Sequence, residues 1–221
     1  MNTHDSQVRD EATRRGAGAD QTPDRQAAID LHQTVGPANT TASAVAERAG
    51  VQRHTYYRHF PDERSLVMAC SGLYAERNPL PDPESWRAIG DPVERLAHGL
   101  DGLYGFYAAN EPMLSNVTRD AEVDPLVREI SAIRFGPGIG AIFGILSEGF
   151  PRSKRHAALL NLALQFTTWR SLVRDSGLEH DQAVETMVDA FRSANGAPRT
   201  RRRRRSAAPP RATARSAPPG G

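Results

Sequence analysis

The sequence has almost no cysteine, almost no lysine and no long apolar run. Its single cysteine, Cys70, excludes a disulfide within the chain and any zinc site built on several cysteines. Lys154 is the only lysine, and this dominance of arginine favours a bacterial source. The longest apolar stretch, residues 139–146, is far too short to span a bilayer. Residues 1–18 lack the apolar core of a secretion signal. We therefore expect a cytoplasmic protein without membrane association.

Patterns of catalytic and cofactor sites are also missing. The histidines show no metal-binding spacing such as His-Glu-x-x-His, and there is no nucleophile elbow or phosphate-binding loop. Residues 136–141 fit a loose dinucleotide-binding pattern, but that pattern requires a preceding strand, so we interpret them as a loop or a kinked helix. The sequence predicts no catalytic residue, no metal and no cofactor. A helical enzyme is the least supported function.

Charge is distributed unevenly along the chain. The formal net charge is only +2, but residues 197–221 contain eight arginines and no acidic residue. The rest of the chain has 20 basic and 26 acidic side chains, a net charge of −6. A protein that only coats nucleic acid is expected to be basic throughout. The distribution therefore indicates short basic segments attached to an acidic domain that has a different function.

The most informative segment is residues 40–61, which reads as two short helices joined by a glycine. Thr40 and Thr41 are good N-cap residues for the first helix. Small apolar residues then recur at helical spacing and allow another helix to approach closely: Ala42, Val45, Ala46 and Ala49. Gly50 follows, the usual residue for a left-handed turn at a helix C-terminus. This arrangement is typical of a helix-turn-helix.

The second helix of this segment is predicted to run from about Gln52 to Phe60. Pro61 ends it, because the residue before a proline avoids the helical region. Tyr56 and Phe60 are four residues apart and can both pack inward. The opposite face has no obvious core to bury it and carries Arg53, His54, Tyr57 and Arg58. Arginine can bind guanine in the major groove, and hydroxyl or imidazole groups can bind phosphate oxygens, so this face predicts contact with DNA.

Residues 40–66 resemble the DNA-binding signature of the tetracycline-repressor (TetR) family. The matching residues are Thr41, Ala46, Ala49, Gly50, Val51, Thr55, Tyr57, His59, Phe60, Pro61 and Leu66. The resemblance implies four side chains on or near the phosphate backbone: Thr41, Thr55, Tyr57 and His59. It also implies a set of candidates for base contacts: Gln52, Arg53, His54, Arg58 and, from the preceding helix, Ser43.

Two features depart from the family pattern. Glu63 stands where members often carry a lysine close to a phosphate, and we expect Arg64 to compensate for the repulsion. In the first helix, predicted over residues 24–32, Asp24 and Arg25 replace two large apolar residues. We expect this helix to be about one turn short and to hold the motif mainly through Ala28, Leu31 and Val35.

The remainder of the chain reads as helical. A proline-rich break at residues 78–83 follows a fourth helix and precedes six more, predicted at Pro92–Ala109, Met113–Thr118, Pro125–Phe135, Ile139–Phe150, Ser153–Asp175 and His180–Asn195. We predict an all-α fold in four parts. These are a disordered N-terminus (1–22), a three-helix helix-turn-helix DNA-binding domain (23–62), a helical ligand-binding and dimerisation domain (63–196) and a disordered arginine-rich tail (197–221).

The last two predicted helices show wide apolar surfaces, which suits helices buried on two sides. In the TetR family the corresponding helices form a four-helix bundle with a second subunit, so the resemblance implies a homodimer on a palindromic operator. The alternative is that both are core helices of a monomer. The family also implies a small-molecule effector. Tyr104 and Trp169 are the best candidates for its pocket, because each buries a ring and keeps one polar group, although both can be plain core residues.

Together these features predict a ligand-responsive transcription regulator that binds double-stranded DNA, with repression as the usual mode of the family. A second hypothesis is a DNA-binding protein without a sensor, which relies on the motif and on the arginine-rich tail. That tail could hold phosphates at no fixed position. The tail could equally be an incidental extension.

Overall fold

The structure, a computed structural model, describes residues 23–196, with side chains placed through residue 194. The disorder predicted for residues 1–22 and 197–221 concerns segments outside the described residues. Within the described range the chain is helical and has no strand, which confirms the all-α prediction. The helices are α1 (Pro23–Thr34), α2 (Ala42–Ala49), α3 (Arg53–His59), α4 (Glu63–Arg77), α5 (Pro92–Ala109), α6 (Glu111–Val123), α7 (Pro125–Ser147), α8 (Lys154–Ala163), α9 (Phe166–Arg170) and α10 (His180–Gly196).

Local capping explains where α2 begins and ends and where α4 begins. The Thr41 hydroxyl accepts from the Ala44 amide at 3.2 Å and caps α2. Gly50 ends α2 with a φ of 70°, the left-handed conformation that glycine adopts without steric cost. Asp62 and Ser65 form a reciprocal capping box at the start of α4. The turns on both sides of α3 are therefore set by residues within a few positions of them.

A first core joins α1, α2, α3 and α4. Its buried apolar residues are Ala27, Ala28, Ile29, Val45, Ala46, Tyr56, Phe60, Leu66, Cys70, Leu73, Tyr74 and, from α6, Met113. Because α4 supplies four of them, it packs with the amino-terminal helices as well as connecting them to the rest. Whether the chain divides at residue 62 remains a prediction.

The inner face of α1 differs from the expected one. Ala28 is fully buried as predicted, but Leu31 is only partly buried and Val35 is 43% exposed. The helix instead contacts the core through Ala27, Ala28, Ile29 and two polar residues, Asp24 and His32. The prediction for Val35 was wrong because α1 ends at Thr34 and the next residue leaves the helical face.

A second core joins α5 to α7, α8, α9 and α10. Its largest fully buried side chains are Leu96, Leu100, Leu103, Tyr104, Ile142, Leu146, Leu160, Trp169 and Phe191. The 18-residue helix α5 lies in the centre of this core, as its apolar stripe predicts. A short 3₁₀ helix, Pro83–Ala88, covers one side through the buried ring of Trp86.

Helix α7 is continuous over 23 residues, whereas two helices separated by residues 136–138 were predicted. Pro137 lies inside it, and proline removes one backbone hydrogen bond and favours a kink. Packing on both sides of Pro137, through Ile130 and Ile142, holds the two halves in one helix. Among the described residues α7 is long and apolar enough to cross a membrane by length and composition. Core helices of soluble proteins pass the same test, and α7 contributes Ile142, Ile145 and Leu146 to the second core.

The helix predicted over residues 153–175 is divided instead into α8 and α9, and it ends in one π-helical turn, Ser171–Asp175. The division leaves backbone carbonyls near Leu164 without helical partners. Two tyrosines of α5 supply donors, since Tyr104 donates to the Ala163 carbonyl at 3.0 Å and Tyr107 donates to the Leu164 carbonyl. These buried side-chain donors explain why sequence periodicity alone did not reveal the break.

Candidate nucleic-acid interface

Helix α3 is attached to the core by one of its faces. Tyr56 and Phe60 are 3% and 4% exposed, and their ring centroids lie 5.8 Å apart. On the facing helix α2, Val45 and Ala46 are buried and small enough for close approach. This confirms the predicted inward pair, and it directs the opposite face of α3 to the surface.

The exposed face of α3 carries most of the predicted DNA-binding residues. Gln52, Arg53, His54, Tyr57, Arg58 and His59 are exposed, and Thr55 is half-buried. Thr41 and Ser43, at the start of α2, are exposed as well. Their contacts with bases or phosphates remain predictions.

Two aromatic contacts order part of this face. The Tyr57 ring packs edge-on against Tyr56, with centroids 5.3 Å apart. The guanidinium of Arg53 lies over the Tyr57 ring, 5.9 Å from its centroid, in a cation–π contact. This contact favours the Arg53 conformer that lies over the ring, which reduces the entropy lost on binding.

The Thr41 hydroxyl can still donate one hydrogen bond to a partner molecule. Its oxygen accepts the Ala44 amide, but the hydroxyl proton is not used by that contact. A hydroxyl at the amino terminus of α2 can donate this proton to a phosphate oxygen while backbone amides attract the same anion. The cap predicted from the sequence is consistent with the predicted phosphate contact.

A hydrogen-bonded pair of side chains that was not predicted lies behind α3. His59 Nδ1 is 2.7 Å from Asp24 Oδ2, and Asp24 is 1% exposed. In the tautomer that carries its proton on Nδ1, His59 donates to Asp24 and leaves Nε2 for a partner outside. The other carboxylate oxygen, Oδ1, is buried without a hydrogen bond in the described structure. Asp24 thus orients His59, although the sequence suggested only a missing apolar residue at position 24.

We expect Asp24→Leu to raise stability while it lowers DNA affinity. The substitution removes a buried carboxylate with an unsatisfied oxygen and fills the space with an apolar side chain, while His59, whose side chain is 35% exposed, is hydrated instead, so we expect a gain of about 1 kcal/mol. His59 loses its acceptor, and operator affinity should fall about tenfold, the effect of one charge-assisted hydrogen bond. Thermal unfolding and DNA titration of the same preparation measure both quantities. A protein that loses stability, or that binds DNA as before, contradicts the proposed role of Asp24.

The start of α4 presents an uncompensated negative charge. Glu63 is exposed at the first position of the helix. Arg64, which we expected to compensate, forms a bidentate ion pair with Glu129 of α7, with both N–O distances 2.7 Å. These bonds raise the pKa of Arg64 and lower the pKa of Glu129 relative to their ordinary values. The expectation for Arg64 was wrong, because its guanidinium links α4 to α7.

We expect Glu63→Lys to increase operator affinity about tenfold and to make the affinity more dependent on salt. The substitution removes a repulsion and adds a phosphate contact in each subunit. Titration of operator DNA at several salt concentrations gives both values. Glu47→Lys, at an exposed position on α2, is the control for net charge alone. An equal gain from both variants would show that position 63 has no special relation to the phosphates.

A polar junction connects the end of α1 to α6. The Asn116 amide donates to the carbonyls of His32 and Gln33 at 3.0 and 2.8 Å. Asp120 is 3% exposed and accepts the Ala38 amide at 3.0 Å. Gly36 lies between these contacts with a φ of 94°. Sequence reasoning missed the junction, because its partners are more than 80 residues apart.

His32 and Cys70 are uncharged neighbours inside the first core. Burial lowers the pKa of His32 to about 4, and the charge of Asp120 only partly opposes this effect. The imidazole Nδ1 lies 3.5 Å from the Cys70 sulfur. Burial raises the pKa of the Cys70 thiol to about 12, so the thiol stays protonated and unreactive at neutral pH.

The two residues predicted for an effector pocket lie inside the second core. Tyr104 and Trp169 are 0% and 1% exposed. Burial raises the pKa of Tyr104, whose hydroxyl is used by the Ala163 carbonyl, and the Trp169 ring packs against Tyr107 and Phe166. A cavity of about 530 Å³ near the carboxyl end of α7 is lined by other side chains. A ligand contact for Tyr104 or Trp169 therefore remains a prediction, since neither residue lines that cavity.

One group of side chains in residues 23–194 has a spacing that metals can use. The donor atoms of Asp101, His180 and Asp181 lie within 4.8 Å of one another on the surface between α5 and α10. His180 Nε2 is 2.8 Å from Asp101 Oδ1. These side chains pair with one another in an exposed position, and nothing further indicates a bound ion.

The fold and this surface define the class of protein: an all-α protein in which an amino-terminal helix-turn-helix is joined to a larger helical domain. The profile of the bacterial regulatory proteins of the tetR family matches residues 25–70, from α1 into α4. Residues 25–70 therefore form a DNA-binding domain of the type found in bacterial regulatory proteins of the tetR family.

Solved structures share the fold over most of the chain. The Bacillus subtilis regulator FadR in complex with stearoyl-CoA has 15% identity and a TM-score of 0.55, with 76% of this chain and 96% of that chain covered. A TetR-like regulator from Rhodococcus sp. RHA1 has 21% identity and a TM-score of 0.54, covering 79% and 95%. The TetR-family regulator PfmR from Thermus thermophilus has 16% identity and a TM-score of 0.54, covering 76% and 96%. No curated protein sequence matches the chain.

Proposed function

We propose that this protein binds a palindromic operator as a homodimer and that a small-molecule effector controls this binding, with repression as the mode. The observation that carries the proposal is the exposed face of α3, which presents Arg53, Tyr57 and Arg58 on a helix fixed from behind. The bases are read by Ser43, Gln52, Arg53, His54 and Arg58. The phosphates are bound by Thr41, Thr55, Tyr57 and His59.

The length of α3 supports a dimer. Its seven residues span only about 10 Å, enough for part of one half-site. Two copies related by a two-fold axis bind two half-sites and multiply the affinity. The two domains must then be held at a spacing that matches successive turns of DNA, which is a task for the helical domain.

The surface available for dimerisation is narrower than the sequence indicated. The apolar residues of α10 lie on one side, in its own core, and are Ala183, Val184, Met187, Val188 and Phe191. The other side of α10 is polar, with exposed residues such as Gln182, Glu185 and Asp189. The prediction of a wide apolar surface was wrong for α10. Leu162, in the last turn of α8, is 48% exposed and is the best apolar contact for a second subunit.

We expect Leu162→Glu to convert the dimer to a monomer at micromolar concentration. An isolated carboxylate in an apolar contact should weaken association about a hundredfold. Light scattering after size-exclusion chromatography measures the mass directly. Val123→Glu is a matched control, because Val123 is 79% exposed at the end of α6. If both variants remain dimeric, the subunits contact each other through another face.

An effector can act only through unequal affinity for the two spacings of the DNA-binding domains. The FadR structure similar to this chain contains stearoyl-CoA, which makes acyl compounds reasonable first candidates. A cavity of about 530 Å³ in the helical domain favours a regulator with a sensor over the alternative without one.

The direct test is an electrophoretic mobility shift with the DNA upstream of the protein's own gene. We expect a shift at moderate salt that unlabelled specific DNA abolishes and unrelated DNA does not. A protein that lacks residues 197–221 should keep this preference. If only non-specific binding is seen, and deletion of the tail removes it, the sensor-less alternative is correct.

A further inference from the structure

A cavity of about 530 Å³ lies where the carboxyl end of α7, the amino end of α8 and α10 meet. We propose that this cavity is a binding site for an apolar carboxylate, an organic acid with a single negative charge on a hydrocarbon body. Ligand pockets for small molecules have volumes of about 300–1,000 Å³, so the size is suitable. The site is separate from Tyr104 and Trp169.

The wall of the cavity is aromatic and aliphatic. Phe143 of α7, Phe150, Leu160 of α8 and Phe191 of α10 line it. Phe150 packs against Phe191, with ring centroids 5.4 Å apart. Such a wall is stabilised when a hydrocarbon body displaces water from it.

The charged groups around the cavity select an anion. Arg152 and Lys154 line it together, and Glu148 is the one acidic residue in the lining. Glu148 pairs with Arg87, with an N–O distance of 2.7 Å, and Arg87 also pairs with Glu84, which is not part of the lining. Arg152 and Lys154 have no ion-pair partner among the described residues, so the balance at the mouth is positive.

The amino end of α8 adds to the same preference. Ser153 caps this ten-residue helix, and its oxygen accepts the His156 amide at 3.2 Å. The His156 ring stacks on Phe150 and thereby forms part of the apolar wall. A carboxylate at the mouth meets cationic side chains and a helix amino terminus, while its hydrocarbon body contacts the rings. An amine of the same shape meets repulsion.

Helix α7 connects this cavity with the DNA-binding domain. Its carboxyl end lines the cavity through Phe143 and Ser147. Towards its amino end, Arg134 donates to the Met68 carbonyl at 2.6 Å and to Ser71 Oγ at 3.1 Å, and Glu129 pairs with Arg64. The helix is about 34 Å long, with Pro137 between these contacts. A ligand in the cavity therefore shifts α7 relative to α4. The effect of this shift on DNA binding rests on the proposed regulatory function.

Binding is tested by calorimetry on the full chain with three amphiphiles of equal length below their micelle concentrations: decanoate, decanol and decylammonium. We expect one decanoate per chain, bound about tenfold more tightly than decanol, because about 1.4 kcal/mol of charge interaction corresponds to that factor. Decylammonium should bind more weakly than decanol. Equal affinities, or no saturable binding of decanoate, would overturn the proposal.

Three substitutions locate the site. Lys154→Gln should weaken decanoate several-fold and leave decanol unchanged. Arg155→Gln is the matched control, since Arg155 is exposed on the same helix turn but is not part of the lining. Ala157→Phe, which fills the cavity from α8, should abolish the binding of both compounds while thermal unfolding reports an intact fold. Equal loss from the two charge substitutions would place decanoate elsewhere.

The regulatory consequence has its own readout. Decanoate should lower the affinity of the full chain for its operator, and Ala157→Phe should remove this response but keep operator binding. Decanoate binding without any change in DNA affinity would overturn the coupling through α7. If no variant binds the operator, the proposed function is contradicted. The calorimetric test of the cavity is independent of that outcome.

Discussion

Gly36→Ala should cost about 3 kcal/mol of the free energy of unfolding, the largest loss expected from any single methyl group in the amino-terminal part of the described chain. Gly36 has a φ of 94°, which alone costs a side chain roughly 1–2 kcal/mol. A Cβ at this position would lie 2.3 Å from Asp120 Oδ2 and 2.4 Å from Arg119 Nη2. Relief of that overlap by shifting Asp120 breaks its hydrogen bond with the Ala38 amide.

Gly50→Ala separates the cost of a positive φ from the cost of steric overlap. Gly50 also has a positive φ, 70°, but nothing lies within 4 Å of the added Cβ. We expect this variant to lose only about 1 kcal/mol, the conformational part of the cost. Chemical denaturation of the two variants under identical conditions gives the comparison. Equal losses would show that the junction between α1 and α6 tolerates the methyl group and is not tightly packed.

Arg53→Ala should reduce affinity for the operator about a hundredfold while affinity for unrelated DNA changes little. A bidentate contact of arginine with guanine discriminates by about 1–3 kcal/mol, and the dimer contains two of them. The truncation also removes the guanidinium that lies over the Tyr57 ring. Titration of operator and of a series of single-base variants measures the change in preference.

Tyr57→Phe tests a phosphate contact in the way that Arg53→Ala tests a base contact. The ring stays against Tyr56 and beneath Arg53, so only the hydroxyl is lost. Affinity should fall several-fold for operator and unrelated DNA alike, because phosphate contacts do not distinguish sequences. If Arg53→Ala and Tyr57→Phe reduce affinity equally across all operators, the division between base-reading and phosphate-binding residues is wrong.

The sequence was most informative where structure depends on near neighbours. The cap at Thr41, the left-handed Gly50, the inward pair Tyr56 and Phe60 and the end of α3 before Pro61 each follow from side chains a few positions apart. Such local rules predict the helix-turn-helix and the identity of its exposed face.

Features that depend on distant partners could not be predicted in this way. The pair of Asp24 and His59 spans 35 residues, and the pair of Arg64 and Glu129 spans 65. From the sequence, Asp24 looked like a missing apolar contact of α1, and Arg64 looked like a cation without a partner. The folded chain supplies a partner for each. Both errors arose because burial and pairing are properties of the folded chain and not of the local pattern.

The breaks in the helices of the helical domain were predicted wrongly for the same reason. Tertiary contacts hold α7 together across Pro137, and two tyrosine hydroxyls stabilise the division between α8 and α9. The cavity at the end of α7 combines residues from α7, α8 and α10 and the loop between α7 and α8. Apolar periodicity identified the helices but could not distinguish core aromatics, such as Tyr104 and Trp169, from aromatics that line a cavity.

Selection of bound DNA from a random pool, with the full chain at moderate salt, tests the central claim most directly. We predict enrichment of an inverted repeat whose half-sites are separated by one helical turn or a multiple of it. Arg53→Ala should select a repeat that has lost preference at one position in each half. A pool without an enriched sequence, or with a single unrepeated site, would contradict the account of a dimer that reads DNA through α3.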